Sequence, residues 1–161
     1  ATPLSVESDM RPTDKHIGAD FKRGTVNLDI GSDDALSAEL KEKGVENLSF
    51  DPQNLPEEHN RQILSQLEKK PADSATLFGI LNKVSDPEER KSALQVAYEN
   101  VKLGGKVFIK VEEPKKYLTE VKQIFPSAKI RQGLIKAVKW KIDDDIQWNP
   151  RVALSSNATL I

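Results

Sequence analysis

Two carboxylates and a glycine stand where they could hold a small ligand. Asp29 is next to last in the apolar run Thr25-Val26-Asn27-Leu28-Asp29-Ile30, after which come Gly31, Ser32, Asp33 and Asp34; twenty-two residues after Asp29, Asp51 closes Leu48-Ser49-Phe50-Asp51, ahead of Pro52. A strand, a glycine turn and a helix start leave backbone amides and the positive end of a helix facing the polar tail of a ligand. An acid about 20 residues further on suits the hydroxyls of a ribose. The spacing therefore predicts a nucleoside-binding half-fold. Each residue also has a plainer reading: Asp29 as a strand-end carboxylate capping the amides that follow, Asp51 as a turn-forming acid, and Asp33 and Asp34 as first-turn acids stabilising a helix dipole. Asn82 and Lys83 follow a hydrophobic stretch, either as ligand-facing groups or as an ordinary polar loop.

The elements needed to position these groups can be read along the chain. Residues 1–23, with Pro3 and Pro12, read as an irregular arm. Thr25–Ile30 alternates as a strand; Ser32 is placed to cap a helix through Leu36 and Leu40, which Gly44 ends. Leu48–Asp51 is a second strand. Pro56 suits a first helical position, with Ile63, Leu64 and Leu67 forming a stripe that Pro71 stops. Ser74–Leu81 reads as a buried central strand. A helix opens at Asp86-Pro87, with Ala93, Leu94, Ala97, Tyr98 and Val101 on its buried side. Leu103-Gly104-Gly105 reads as a turn into a strand at Lys106–Val111, Pro114–Phe125 as a helix, and Ala128–Leu134 and Ile135–Ile142 as two last strands. Residues 24–142 thus form an α/β domain with a mostly parallel sheet covered on both faces, and 143–161 a polar tail. Ligands of such sheets bind outside the C-terminal strand ends, which places Asp29–Asp34, Asp51–Asn54 and Asn82–Ser85 around one crevice.

Composition narrows the function classes. The 161 residues are 37% hydrophobic and 30% charged, with no cysteine, so thiol catalysis, disulfides and zinc–thiolate sites are excluded. No run approaches the roughly 18 apolar residues of a membrane span, and nothing reads as a signal peptide, so a cytoplasmic protein is expected. The first residue is Ala1, which suggests a chain processed, trimmed or cut from something longer, or part of a complex. Charge is unevenly spread: residues 1–104 hold 13 Lys/Arg against 19 Asp/Glu, and 105–141 hold 10 against 3. This is either an ordinary lysine-rich surface or a basic face for a polyanion. His16 and His59 read as surface or capping groups, Asp143-Asp144-Asp145 as a solvated turn with no metal expected, Trp140 as packing on the sheet and Trp148 as pinning the tail. No P-loop, G-x-G-x-x-G or nucleophile–base pair is present.

From about residue 24 to 141 the chain resembles the class I S-adenosylmethionine-dependent methyltransferases. Asn27-Leu28-Asp29-Ile30-Gly31-Ser32 is similar to the family's first motif, D-x-G at a strand end, and Leu48-Ser49-Phe50-Asp51 to the second. Asn82–Arg90 and Asn100–Ile109 are similar to the stretch in which a central strand, a helix and an L-x-P-G-G-x-V strand entry follow one another; this last is the most specific. The resemblance implies a Rossmann-like three-layer sandwich and S-adenosylmethionine as cofactor. Its contacts would fall to Asp29, Ile30, Gly31, Ser32, Asp51, Pro52 and Asn82, with Asp29 toward the amino group and Asp51 toward the ribose. Two departures stand out. The family continues its first motif as D-x-G-x-G-x-G, whereas this chain has Asp33 and Ala35; a carboxylate at 33 could pair with the cofactor's positive charges or obstruct it. Only one helix fits between Asp51 and Ser74, so the third strand and the helix after it are expected to be missing. That leaves the order 2-1-4-5-7-6 in the family's strand naming.

The expected function is methyl transfer from S-adenosylmethionine to an acceptor that is a small molecule or a macromolecule, with no catalytic base named by the sequence. The alternatives are a methyltransferase-like binding or scaffold domain without catalysis, and a methyltransferase that meets nucleic acid through the basic C-terminal face. No Asn-Pro-Pro-Tyr-like sequence follows the central strand, so methylation of a base amino group has no support.

Overall fold

A computed structural model describes residues 20–31 and 33–140. Six strands, β1 (Val26–Ile30), β2 (Glu46–Phe50), β3 (Ala72–Phe78), β4 (Val101–Lys110), β5 (Lys129–Arg131) and β6 (Leu134–Val138), form one sheet in the order β2-β1-β3-β4-β6-β5. The pairings β2–β1, β1–β3 and β3–β4 are parallel, and β4–β6 and β6–β5 antiparallel. The helices are α1 (Asp34–Glu42), α2 (Glu57–Lys69), the single turn α3 (Ile80–Lys83), α4 (Pro87–Asn100) and α5 (Pro114–Ile124). This is the expected α/β sandwich, in the expected strand order.

Period-two alternation decides which residues meet which layer. Leu28, Ile30, Leu48, Phe50, Ala75, Leu77, Val107 and Ile109 face one way, against Ile63 and Leu67 of α2, Leu94 and Ala97 of α4, and Tyr117 and Val121 of α5. The opposite face buries a smaller cluster of Leu36 and Leu40 from α1 with Phe21, Val45, Phe78, Phe108 and Leu134. Phe21, at the edge of the expected arm, packs its ring 5.3 Å from that of Phe108. Beneath α1 the second face is polar but also buried. Asn27 Nδ2 donates to Asn47 Oδ1 (2.8 Å) and Thr76 Oγ1 (3.0 Å), and Ser74 Oγ to Asn27 Oδ1 (2.8 Å).

β2 has a neighbour on one side only, as expected if the third strand is absent. Side chains from α2 take over part of the hydrogen bonding that a third strand would supply. Asn60 Oδ1 accepts the Asp51 N–H (2.9 Å), its Nδ2 donates to the Asp51 carbonyl (3.1 Å), and His59 Nε2 lies 2.8 Å from the Ser49 carbonyl.

Several boundaries differ from the sequence reading. The cap of α1 is Asp33, whose Oδ1 accepts the Leu36 N–H at 3.0 Å; Ser32 lies outside the described residues. Pro56 is the N-cap of α2, not its first residue, its ψ of 146° being extended. The central strand stops at Phe78 because Gly79 turns at φ 81°, so Ile80 and Leu81 belong to α3. Val101 begins β4 and is not on the α4 stripe. Leu103-Gly104-Gly105 is not a turn but an irregularity inside β4, where the pairing steps from Ala72–Val101 to Ser74–Lys106. Its backbone stays engaged, Gly104 N–H donating to the Lys139 carbonyl (2.6 Å) and Lys139 N–H to that of Gly105 (3.0 Å). The last two strands part at Gln132-Gly133, where both residues have positive φ (54° and 81°), the signature of a tight hairpin. β6 ends at Val138, whose N–H is taken by Ser127 Oγ at 2.9 Å. His16, Asp143–Asp145, Trp148 and the tail 143–161 lie outside the described residues. No helix among the described residues is long and apolar enough to cross a membrane.

Candidate functional site

Parallel strands deliver their C-terminal ends to one rim, and there a cleft of about 370 Å³ opens, within the size range of small-molecule pockets. Ile30, Gly31 and Phe50 come to it from the tips of β1 and β2, and Asp51–Asn54 from the loop that follows. Ile80, Lys83 and Val84 come from α3 and the segment after it, and α4 contributes Glu89, Ser92, Ala93 and Val96. The walls are mostly apolar with polar groups interspersed, the composition by which pockets hold and orient a ligand.

Asp51 is the acid of this cleft. Its Oδ1 accepts the amides of Gln53 (3.1 Å) and Asn54 (3.2 Å), and its Oδ2 accepts Asn54 Nδ2 (2.9 Å). The turn-forming role is therefore real. A carboxylate offers about four acceptor sites, so Oδ2 keeps one for a ligand hydroxyl. The clamp by Asn60 on both backbone groups of Asp51 holds that oxygen in place.

Gly31 (φ 111°) comes so close to Ile80 that a Cβ built on it would lie 2.3 Å from Ile80 Cδ1. The approach to the backbone at this point is thus occupied by the end of one flexible side chain. Asp29 does not line the cleft. It is 1% exposed, its Oδ2 accepting the Asp33 N–H (2.8 Å) and its Oδ1 the Thr76 hydroxyl (3.1 Å). Burial raises its pKa to about 6, against the opposing effect of these two hydrogen bonds. Asn82 also faces elsewhere, its Oδ1 accepting the Glu112 N–H at 2.8 Å and so tying α3 to the end of β4.

Arg90 fixes the segment between α3 and α4. Its Nη1 donates to the Val84 and Ser85 carbonyls (2.9 Å each), while Nε and Nη2 form a fork with Glu120 of α5 (2.9 and 2.8 Å). The guanidinium holds the Glu120 carboxyl below its usual range.

Of the residues expected at the site, the structure brings together Ile30, Gly31, Asp51 and Pro52, with Gln53 and Asn54 beside them. It sets Asp29 behind them and Asn82 away from them; Ser32 lies outside the described residues. The α4 contribution was missed. Its signal was the i, i+3, i+4, i+7 spacing of Glu89, Ser92, Ala93 and Val96, a second stripe offset from the Leu94/Ala97 stripe that faces the sheet.

No protein-family model matches the chain, and no curated protein matches it in sequence. Solved structures match its fold. The chain is similar to the T. thermophilus 16S rRNA N2 G1207 methyltransferase RsmC in complex with AdoMet and guanosine, at 17% identity and a TM-score of 0.57, over 84% of this chain and 42% of that one. It is similar to a TehB-like SAM-dependent methyltransferase from Corynebacterium glutamicum, at 15% identity and 0.57, over 83% and 87%. The S-adenosylmethionine-dependent methyltransferase SibL matches at 14% and 0.58, over 87% and 57%. The chain has the fold of the class I S-adenosylmethionine-dependent methyltransferases, with one edge strand fewer. It spans less than half of the first of these proteins and little more than half of the third.

Proposed function

We propose that the chain binds S-adenosylmethionine in this cleft and transfers its methyl group to an acceptor, a small molecule or a macromolecule. The observation that carries the reading is the placement of Asp51, with an acceptor site to spare, beside Gly31 in an apolar cleft at the strand tips. The spare lone pair on Asp51 Oδ2 suits a ribose hydroxyl, and Phe50, Pro52, Val84, Ala93 and Val96 offer apolar surface to a nucleoside base. Ile30 and Gly31 present the backbone toward the remainder of the cofactor. Asp29 acts from behind by holding the Asp33 amide, and Asn82 by fixing α3. When bound, the sulfonium supplies a methyl group activated for in-line displacement. The work left to the chain is to align the acceptor and exclude water, and no residue is assigned as a base.

Calorimetric titration with S-adenosylmethionine and S-adenosylhomocysteine tests this, with Asp51→Ala as the comparison. Saturable binding that Asp51→Ala weakens at least tenfold, with the fold retained by circular dichroism, is the expected result. Absence of binding by the full chain would refute it. The second reading, a binding domain of this fold without catalysis, draws on Ile80 lying over Gly31. It predicts that adenosine binds while S-adenosylhomocysteine does not.

A further inference from the structure

On the face of the sheet that carries α1, Phe108 of β4 and Leu134 of β6 are buried with Phe21, Leu36 and Leu40, and beside that cluster β4, β6 and β5 present a row of charged side chains. Alternation puts Lys106 of β4, Lys136 of β6, and Lys129 and Arg131 of β5 on this face. They line a groove of about 340 Å³ that Trp140 also borders. The register sets Lys129 directly opposite Lys136, so that two cationic side chains stand side by side on this face. Trp140 is 48% exposed, a large aromatic surface left to solvent beside these cations. The carboxylate of Asp20 also lines the groove and is paired with Lys106 at 2.6 Å. The uneven charge of the sequence thus becomes a localised feature, since these four cations all fall within the basic stretch 105–141.

We propose that this groove binds single-stranded nucleic acid, with phosphates on Lys106, Lys129, Arg131 and Lys136 and a base stacked on Trp140. A groove of cations tracking a backbone beside an aromatic platform is the recurring means of holding a single strand. The groove and the cleft are lined by different residues, so this site stands or falls without the cofactor reading.

The test is fluorescence anisotropy of the full chain with labelled twelve-nucleotide oligo-rU and oligo-dT, and with polyglutamate as a polyanion lacking bases. Four phosphate contacts predict a slope of log affinity against log salt of about −2.8, so that affinity falls roughly fifty-fold between about 50 and 200 mM salt. Lys129→Gln/Arg131→Gln should halve that slope and weaken binding at least tenfold at low salt. Trp140→Ala should weaken it roughly tenfold with the slope unchanged. Preference for oligo-rU over oligo-dT identifies the strand as RNA, and the reverse identifies DNA; either supports the site. Equal binding of polyglutamate, an unchanged affinity in the glutamine double variant, or an unchanged affinity in Trp140→Ala would each overturn it.

Discussion

The buried carboxyl of Asp29 makes stability depend on pH. Its pKa is raised from an ordinary 3.8 to about 6 because burial penalises the charged form by more than the Asp33 amide and the Thr76 hydroxyl favour it. Between those values the folded chain binds a proton that the unfolded chain has released. Stability contributed by this group is therefore full below 3.8 and lost as pH rises through about 6. At neutral pH the shift corresponds to about 3 kcal/mol of destabilisation, a large share of the roughly 5–15 kcal/mol by which domains are stable. The perturbation is Asp29→Asn, which keeps an oxygen for the Asp33 amide and removes the charge. Comparing variant and parent by urea unfolding at each pH cancels the titrating groups that do not interact with Asp29. Between about pH 4.5 and 7.5 the variant should gain roughly 2 kcal/mol relative to the parent. A difference that stays flat to within about 0.5 kcal/mol over that range would refute the argument that this carboxylate is held charged at a cost.

Two further outcomes follow from the cleft. Ile80→Ala removes the side chain lying over Gly31, and should raise affinity for S-adenosylhomocysteine about tenfold while leaving adenosine affinity unchanged; equal effects on both ligands in calorimetry would show that Ile80 guards nothing. Asn60→Ala strips the buried Asp51 N–H of its partner, while the Asp51 carbonyl keeps the Leu55 N–H at 2.9 Å. It should cost about 1–3 kcal/mol in urea unfolding, the usual penalty for one buried group left unpaired, and a loss under about 0.5 kcal/mol would mean that water replaces the amide.

Much of this was legible because it rests on local rules. Asp86-Pro87 starts α4 with Asp86 Oδ1 accepting the Glu88 N–H (3.0 Å), as the sequence of an acid and a first-turn proline predicts. The missing strand was legible from chain length, since the residues between Asp51 and Ser74 hold one helix and no more. What escaped depends on partners distant in sequence. Nothing around Gly104-Gly105 announces that Lys139 will pair with both residues and keep them inside β4. Alternation sets Asn27 and Asp29 opposite Val26, Leu28 and Ile30, but it does not show that Asn47, Ser74 and Thr76 arrive from two other strands to bury them. The rim was found from Asp51 and Gly31, but Ile80 was assigned to a strand, and Glu89, Ser92 and Val96 of α4 went unread because a stripe opening with a Glu and a Ser looks solvent-facing.

The substitution of Asp33 and Ala35 for glycines bears on whether the cleft can admit a cofactor at all. A carboxylate beside Gly31 would be an obstruction if it pointed at the ligand. Instead Asp33 is held at both ends: its N–H donates to Asp29 Oδ2 and its Oδ1 accepts from Leu36 N–H. The first bond fixes the backbone at the strand-to-helix turn, and the second commits the side chain to the start of α1. Asp33 is absent from the lining of the cleft, as Asp29 is. The two acids form a relay from the sheet to the helix, in which the buried Asp29 carboxylate bears the desolvation cost and the Asp33 carboxylate caps. The bulk that replaces glycine is thereby diverted into helix capping. What narrows the approach to Gly31 is Ile80, an apolar side chain able to change rotamer, and the proposed cofactor binding turns on that isoleucine more than on the altered motif.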